Sequence, residues 1–377
     1  MDLIIYTFSF VFVSLASYLI GKLFSQWGLP KITGYLLAGA VAGPFVLALM
    51  DADSGTQLRY IDELSLAVIA FVAGSELYLK EIRSRLKTIS LLTTAVMIVG
   101  TILMGVSLFF LTEFISFTQG MPIVSRLAVA ILGGVILLAL SPASTIAVIK
   151  DVRARGQYTS TVLGVTVTMD VVVILLFAVA VAIASVLLTG SGFNASFVGL
   201  LLLDLGAAIG IGFLVGKVLQ FVLARPWNHY LKIGLVLAIG YAIFALAYAV
   251  VQFSYANLPF EIHIEPILIA MIGGFYVTNF TNSRDEFDEI LHDVGPAVYV
   301  AFFTLTGLGL KLDILFTTLP IALALFAVRA GSIFLGGYVG GRLAGESEKH
   351  SRYYWLGLIT QAGIALGLAR EVANEFP

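Results

Sequence analysis

Apolar residues run through this chain in long blocks, and the polar positions between the blocks are few and carry most of the charge. A helix rising 1.5 Å per residue needs about 20 largely apolar residues to cross a bilayer. Twelve stretches meet that requirement, near 2–22, 31–50, 62–78, 87–112, 124–149, 157–188, 195–222, 231–254, 264–281, 291–310, 314–341 and 353–373. The pattern predicts an all-α integral membrane protein with twelve spanning helices. The connections are short, so residues 1–377 read as one transmembrane unit without a soluble domain between helices. The chain opens Met-Asp-Leu-Ile-Ile with no basic residue ahead of the first apolar block, which suits a mature spanning helix better than a cleaved signal peptide.

Charge sets the orientation. With the N-terminus outside and the helices alternating, sixteen of the 21 Lys and Arg residues fall on one side and four on the other, while Arg329 lies within a span. Basic residues accumulate in cytoplasmic loops, so the richer side faces the cytoplasm of a cell membrane. Composition agrees with the helix pattern: 59% of residues are hydrophobic and 12% charged, against about 25% charged in soluble domains. The net charge of −2 gives no reason to expect a nucleic-acid partner. There is no Cys, hence no disulfide or thiolate chemistry, and the four His residues show no metal-ligand spacing. No P-loop, His-Glu-x-x-His motif or nucleophile elbow occurs. The sequence therefore reads as a non-enzyme without cofactor, whose energy comes from an ion gradient or from passive flow.

A faint internal repeat adds to this. Pro30-Lys31-Ile32-Thr33-Gly34 opens the second block and Pro266-Ile267-Leu268-Ile269-Ala270 the ninth. Equivalent helices an odd number apart run in opposite directions, which is the signature of inverted repeats in secondary transporters. The repeats are taken as about 1–188 and 231–377, with a linker helix at about 195–222.

Ionisable residues at bilayer depth cost several kcal/mol and mark function or a structural pairing. Asp170 stands in Thr168-Met169-Asp170-Val171-Val172 with only apolar sequence beyond it. Arg329 stands in Val328-Arg329-Ala330-Gly331 and stays protonated, so it needs an anionic or carbonyl partner. Asp170 and helix C-terminal carbonyls are the two candidates. Leu140-Ser141-Pro142-Ala143-Ser144-Thr145 interrupts the fifth block. Proline removes an amide donor and frees carbonyls, and such breaks survive at membrane depth only where protein or a cavity satisfies them. Hydroxyls, freed carbonyls and a carboxylate form an oxygen-only ligand set suited to a hard cation. On this basis Asp170, Ser141, Ser144, Thr145 and Thr168 are candidate ligands of a monovalent cation. Thr360-Gln361-Ala362-Gly363 in the last block is a candidate second break, with Gln361 and Gly363 as its markers beside Pro142 in the first. Glu76, at the end of the third block, is a candidate carboxylate of an entry funnel, and an interfacial residue is the plainer reading.

These residues resemble a known family. Ile32-Thr33-Gly34-Tyr35-Leu36-Leu37-Ala38-Gly39, Phe71-Val72-Ala73-Gly74-Ser75-Glu76, Ser141-Pro142-Ala143, Asp170, Phe302-Phe303-Thr304 and Gln361-Ala362-Gly363-Ile364-Ala365 occur in the order found in monovalent cation:proton antiporters, the sodium/proton exchanger superfamily. The resemblance implies thirteen helices, inverted six-helix repeats around the linker, and two crossed broken helices in a core domain. That core would move against a dimerisation domain in a homodimer. It implies Asp170 as the residue that holds cation and proton in competition, and Arg329 as the core's compensating charge. Three features depart from the family pattern: Met169 precedes the aspartate where many members carry a polar residue, Ser141 replaces an Asp before the proline, and twelve blocks leave Pro377 outside. The expectation is that the last helix, and a possible C-terminal regulatory domain, lie outside this chain. The expected activity is one-for-one exchange of Na+, with K+ or Li+ as alternatives, against protons. A gated cation channel, a non-transporting sensor on the same scaffold, and an organic-anion symporter with Arg329 as clamp are the rival readings.

Overall fold

The computed structural model describes residues 2–51, 54–115, 118–189, 195–257 and 264–361, and beyond Gln361 only residues 365, 368, 369 and 372. The described residues are helical throughout their ordered elements. In chain order these are α1 (Asp2–Gln26), α2 (Lys31–Ala42), the single turn α3 (Ser54–Gln57), α4 (Arg59–Glu76), the single turn α5 (Leu79–Ile82) followed by a 3-10 turn at Arg83–Arg85, and α6 (Leu86–Leu111). There follow α7 (Ile123–Ile136), α8 (Pro142–Asp151), α9 (Gln157–Thr189), α10 (Ala195–Leu223), α11 (His229–Asn257), α12 (Pro266–Phe280), α13 (Arg284–Leu308), α14 (Leu312–Ala344) and α15 (Glu348–Leu358). Among the described residues seven helices are long and apolar enough to cross a membrane, and α2, α7 and α12 are shorter apolar helices. Every one of the twelve apolar blocks carries helix, but the fifth is split into α7 and α8.

The chain folds as two compact units, each built from three separate stretches. One comprises residues 1–78, 146–153 and 204–318; the other comprises 79–145, 154–203 and 319–377. Each unit draws on stretches from both halves of the sequence.

In the first unit, helix pairs approach closely at glycines. At Gly274 on α12 a Cβ would lie 2.5 Å from the Phe71 carbonyl of α4, and at Gly74 on α4 one would collide with the Met271 carbonyl of α12. Gly39 on α2 and Gly307 on α13 make a second reciprocal contact of the same kind, each against the backbone of the other helix. Apolar lipid tails give no hydrophobic drive to helix association, so close backbone contact at small residues supplies it instead. Electrostatic contacts fasten the helix ends. Lys232 on α11 is 4% exposed and donates to the Leu223 carbonyl at 2.8 Å while pairing with Glu286 on α13. Lys31 pairs with Asp151 at 3.1 Å, and Lys150 pairs with Glu76. A cavity of about 290 Å3 lies between these helix ends, with Tyr35, Ser75, Asp288, His292 and Tyr299 in its wall.

The second unit has a buried apolar cluster that unites α6, α7, α9, α14 and α15. Leu92, Val96, Leu132, Val135, Leu138, Ala139, Leu140, Val165, Met169, Val173, Ile333, Tyr354 and Leu358 belong to it. At one end Arg85 binds Glu346 at 2.6 Å, and Thr88 and His350 contact the same carboxylate. Burial pushes the Glu346 carboxyl up, but the charge of Arg85 and the hydrogen bonds from Arg85, His350 and Thr88 outweigh it and hold the group below its ordinary value. Tyr158 stacks on Tyr354 beside this cluster, with centroids 5.2 Å apart.

Candidate functional site

The site grows from the interruption in the fifth block. Helix α7 ends at Ile136, and α8 does not begin until Pro142. Proline at the first position of a helix is favourable because the amide it lacks would be unbonded there. Its ring would also clash with the carbonyl four residues back, that of Leu138, had the helix continued. The consequence is larger than a kink: residues 137–141 leave the helix altogether. Ser141 then caps α8. Its hydroxyl accepts from the Ser144 N–H at 3.1 Å and donates to the Ser144 hydroxyl at 3.1 Å.

The second interruption follows α15, where residues 359–361 are non-helical. The two interruptions meet. Thr360 lies within hydrogen-bond range of the Ser141 N–H at 3.3 Å, of the Ser141 carbonyl at 3.3 Å, and of the Thr145 hydroxyl at 3.0 Å. Gln361 is exposed, and Gly363 lies outside the described residues. The side chain that joins the breaks is thus Thr360, which sequence reading noted only as a polar neighbour of Gln361. Nothing in a lone threonine separates this role from a hydroxyl bonding back to its own helix.

Arg329 on α14 holds both interruptions. It is 3% exposed. Nε donates to the Leu137 carbonyl at 2.8 Å and Nη2 to the Ala139 carbonyl at 3.3 Å, both in the first break. Nη1 donates to the Ile359 carbonyl at 2.5 Å and Nη2 to the Thr360 carbonyl at 2.7 Å, both in the second. The C-terminal turns of α7 and α15 carry unbonded carbonyls and negative dipole ends, and the guanidinium answers both. Of the two partners open from sequence, the helix-end carbonyls take these bonds.

Asp170 lies near the middle of α9 and is half-buried. Its neighbours Met169 and Val173 are fully buried in the same apolar cluster as Leu138, Ala139, Leu140 and Leu358. Position 169 therefore faces packed hydrocarbon. Thr168 is exposed, and its hydroxyl donates to the Gly164 carbonyl at 2.7 Å within α9. Glu76 belongs to the other compact unit, at the end of α4, where Lys150 neutralises it. Among the described residues no group of three or more His, Cys, Asp or Glu side chains could hold a metal ion.

Comparison with known proteins matches the transmembrane sodium/hydrogen exchanger family model to residues 11–375, nearly the whole chain. The chain belongs to the sodium/hydrogen exchanger family. It is accordingly an integral membrane transporter of the cation/proton antiporter class and not an enzyme. Among curated proteins this exchanger is similar to the probable Na+/H+ antiporter GerT of Bacillus cereus, with 24% identity over 97% of this chain and 90% of GerT. It is also similar to the Na+/H+-K+ antiporter GerN of Bacillus cereus, with 23% identity over 96% of this chain and 86% of GerN. Among solved structures it shares the fold of the sodium proton antiporter MjNhaP1 of Methanocaldococcus jannaschii. That match has a TM-score of 0.70 and 21% identity, over 100% of this chain and 89% of the other.

Proposed function

We propose that this exchanger moves one monovalent cation against one proton by alternating access, with Na+ as the preferred ion and K+ or Li+ as alternatives. Asp170 is the residue that holds proton and cation in turn, and oxygens of Ser141, Ser144, Thr145 and Thr168 complete the shell. The observation that carries this reading is the meeting of two interrupted helices, stapled by Arg329, in the unit that contains Asp170. Interrupted helices place backbone oxygens and helix ends at membrane depth, where a desolvated ion needs them. A single carboxylate can carry a proton or a monovalent cation but not both, which makes the exchange electroneutral. The burial of Met169 in hydrocarbon supports a site with one carboxylate rather than two polar neighbours. Arg329 offsets helix-end charge; with four of its N–H groups on carbonyls it is poorly placed to clamp an organic anion. The similarity to GerT and GerN supports sodium/proton exchange, and that to GerN supports potassium as well.

On this reading the unit containing Asp170 is the core, and the unit containing α2, α4 and α13 is the dimerisation scaffold of a homodimer. The repeats about 1–188 and 231–377 run inverted around the linker helix at about 195–222. The protein lies in the cell membrane with its N-terminus outside, as the Lys and Arg bias requires.

The test is exchange in proteoliposomes across Na+, Li+ and K+, with and without an imposed voltage. Wild type should acidify or alkalinise the lumen with the cation gradient at a rate insensitive to voltage, and Asp170→Asn should abolish the exchange. Retained exchange in Asp170→Asn sinks the assignment, and a voltage-driven rate sinks the one-for-one stoichiometry.

A further inference from the structure

We propose that Thr360 is the positioning residue that turns the Thr145 hydroxyl into a pure oxygen donor for the cation and thereby sets cation affinity and preference. This rests on the reading of Asp170 and the Ser141, Ser144 and Thr145 oxygens as the cation site.

A hydroxyl has one proton to give and two lone pairs to receive. Thr360 Oγ1 gives its proton to the Ser141 carbonyl at 3.3 Å and receives the Ser141 N–H at 3.3 Å. One lone pair remains, and Thr145 Oγ1 lies 3.0 Å away. Either hydroxyl can donate in that contact, and with the Thr360 proton on the Ser141 carbonyl the donor is Thr145. Thr360 is saturated and takes no cation itself. Thr145 has disposed of its only proton, and both lone pairs of its oxygen are left for a cation. The Ser141 carbonyl is likewise filled, by the Thr360 hydroxyl and by the Thr145 N–H at 3.1 Å. The Ser141 hydroxyl gives its proton to Ser144 and receives the Ser144 N–H, which leaves one free lone pair. The hydroxyl protons of Thr145, Thr360 and Ser141 are thus spent among protein groups, and lone pairs of Thr145 and Ser141 remain. A hard cation requires that arrangement and a neutral hydrogen-bonding solute does not.

Thr360 is held in place from its other side. Its carbonyl accepts Arg329 Nη2 at 2.7 Å, and a β-branched side chain has restricted χ1 freedom. The hydroxyl is consequently a fixed acceptor, contributed by the second interruption to organise the first.

Four proteins in proteoliposomes test this, read by proton flux against Na+ and against Li+: wild type, Thr360→Val, Thr360→Ser and Asp170→Asn. Valine keeps the shape and removes the hydroxyl, so the Thr145 proton loses its acceptor and turns into the oxygen shell. The half-saturating Na+ concentration should rise roughly tenfold, the worth of one hydrogen bond. The Na+ to Li+ preference should change severalfold while the maximal rate stays within about twofold. Serine restores the hydroxyl and should restore both values. Unchanged half-saturation and preference in Thr360→Val overturns the proposal, as does a serine variant as impaired as the valine one. Exchange retained in Asp170→Asn overturns the underlying site instead, which keeps the two failures apart. Should Thr360→Val not accumulate, Thr360→Ala read by sodium-dependent thermal stabilisation in detergent decides the matter. Its sodium midpoint should rise about tenfold, and an unshifted midpoint overturns the proposal.

Discussion

Replacing Arg329 by Met removes a guanidinium that binds carbonyls of both helix interruptions. Three of its contacts are short, those to the carbonyls of Leu137, Ile359 and Thr360, and the contact to Ala139 is long at 3.3 Å. Hydrogen bonds from a charged donor are worth about 1.5–3 kcal/mol each, and buried acceptors left without partners cost about 1–3 kcal/mol each. Three bonds at the low end give roughly 4–5 kcal/mol. Relief from burying a guanidinium that is 3% exposed offsets part of this. The expected net loss is about 4 kcal/mol for Arg329→Met. Arg329→Lys keeps the charge but gathers three donors at one point instead of a planar fork, so it cannot reach both breaks and should lose about half as much. Unfolding in detergent followed by tryptophan fluorescence measures this, since Trp355 lies on α15 next to the second break. Arg329→Met within about 1 kcal/mol of wild type would refute the reasoning, because unsatisfied buried carbonyls cannot be that cheap. Recovery of stability on adding Asp170→Asn would also refute it, since Arg329 would then be answering a carboxylate and not the carbonyls.

Three further outcomes follow from the packing. Gly274→Ala should cost at least about 2 kcal/mol and lower the folded yield in detergent, because the new Cβ meets the Phe71 carbonyl at 2.5 Å and backbone cannot step aside. Lys232→Met should cost about 1–2 kcal/mol, seen as earlier thermal unfolding, because the Leu223 carbonyl and the partly exposed Glu286 lose a charged donor. Glu346→Gln should destabilise the protein at neutral pH. Since the folded carboxyl sits below its ordinary value, its contribution is present above about pH 4.3 and fades as pH falls through the lowered folded value. Wild type and variant should therefore converge in denaturant titrations repeated in acid, and a gap that persists there contradicts the role of Arg85.

How far each feature could be read in advance depends on the range of the interaction that makes it. The apolar blocks need only counting, and every block does carry helix, because a bilayer leaves the backbone no other way to satisfy itself within a single segment. Pro142 announced a break for the same local reason, although not that five residues, 137–141, would leave the helix. Arg329 and Asp170 stood out because charge in hydrocarbon is costly wherever the chain goes. Their surroundings were not legible. That Arg329 would spend its fork on Leu137, Ala139, Ile359 and Thr360 depends on α7, α14 and α15 converging, and those carbonyls carry no sequence signal because every residue has one. Thr360 was equally silent.

The glycines show the same boundary. Gly39, Gly74, Gly274 and Gly307 look like the small residues any membrane helix carries, and only the pairing of α2 with α13 and of α4 with α12 makes each one a point of backbone contact. Grouping residues 1–78, 146–153 and 204–318 apart from the rest likewise follows from packing between distant segments. The sequence by itself determined that this protein lives in a membrane, that its helices are many, and that a carboxylate and a guanidinium stand among them. Each of those properties is the free energy of placing a residue type in hydrocarbon. Tertiary structure decided which carbonyls the guanidinium answers and which hydroxyl joins the two breaks, because those bonds form between groups brought within about 3 Å of one another only by the fold.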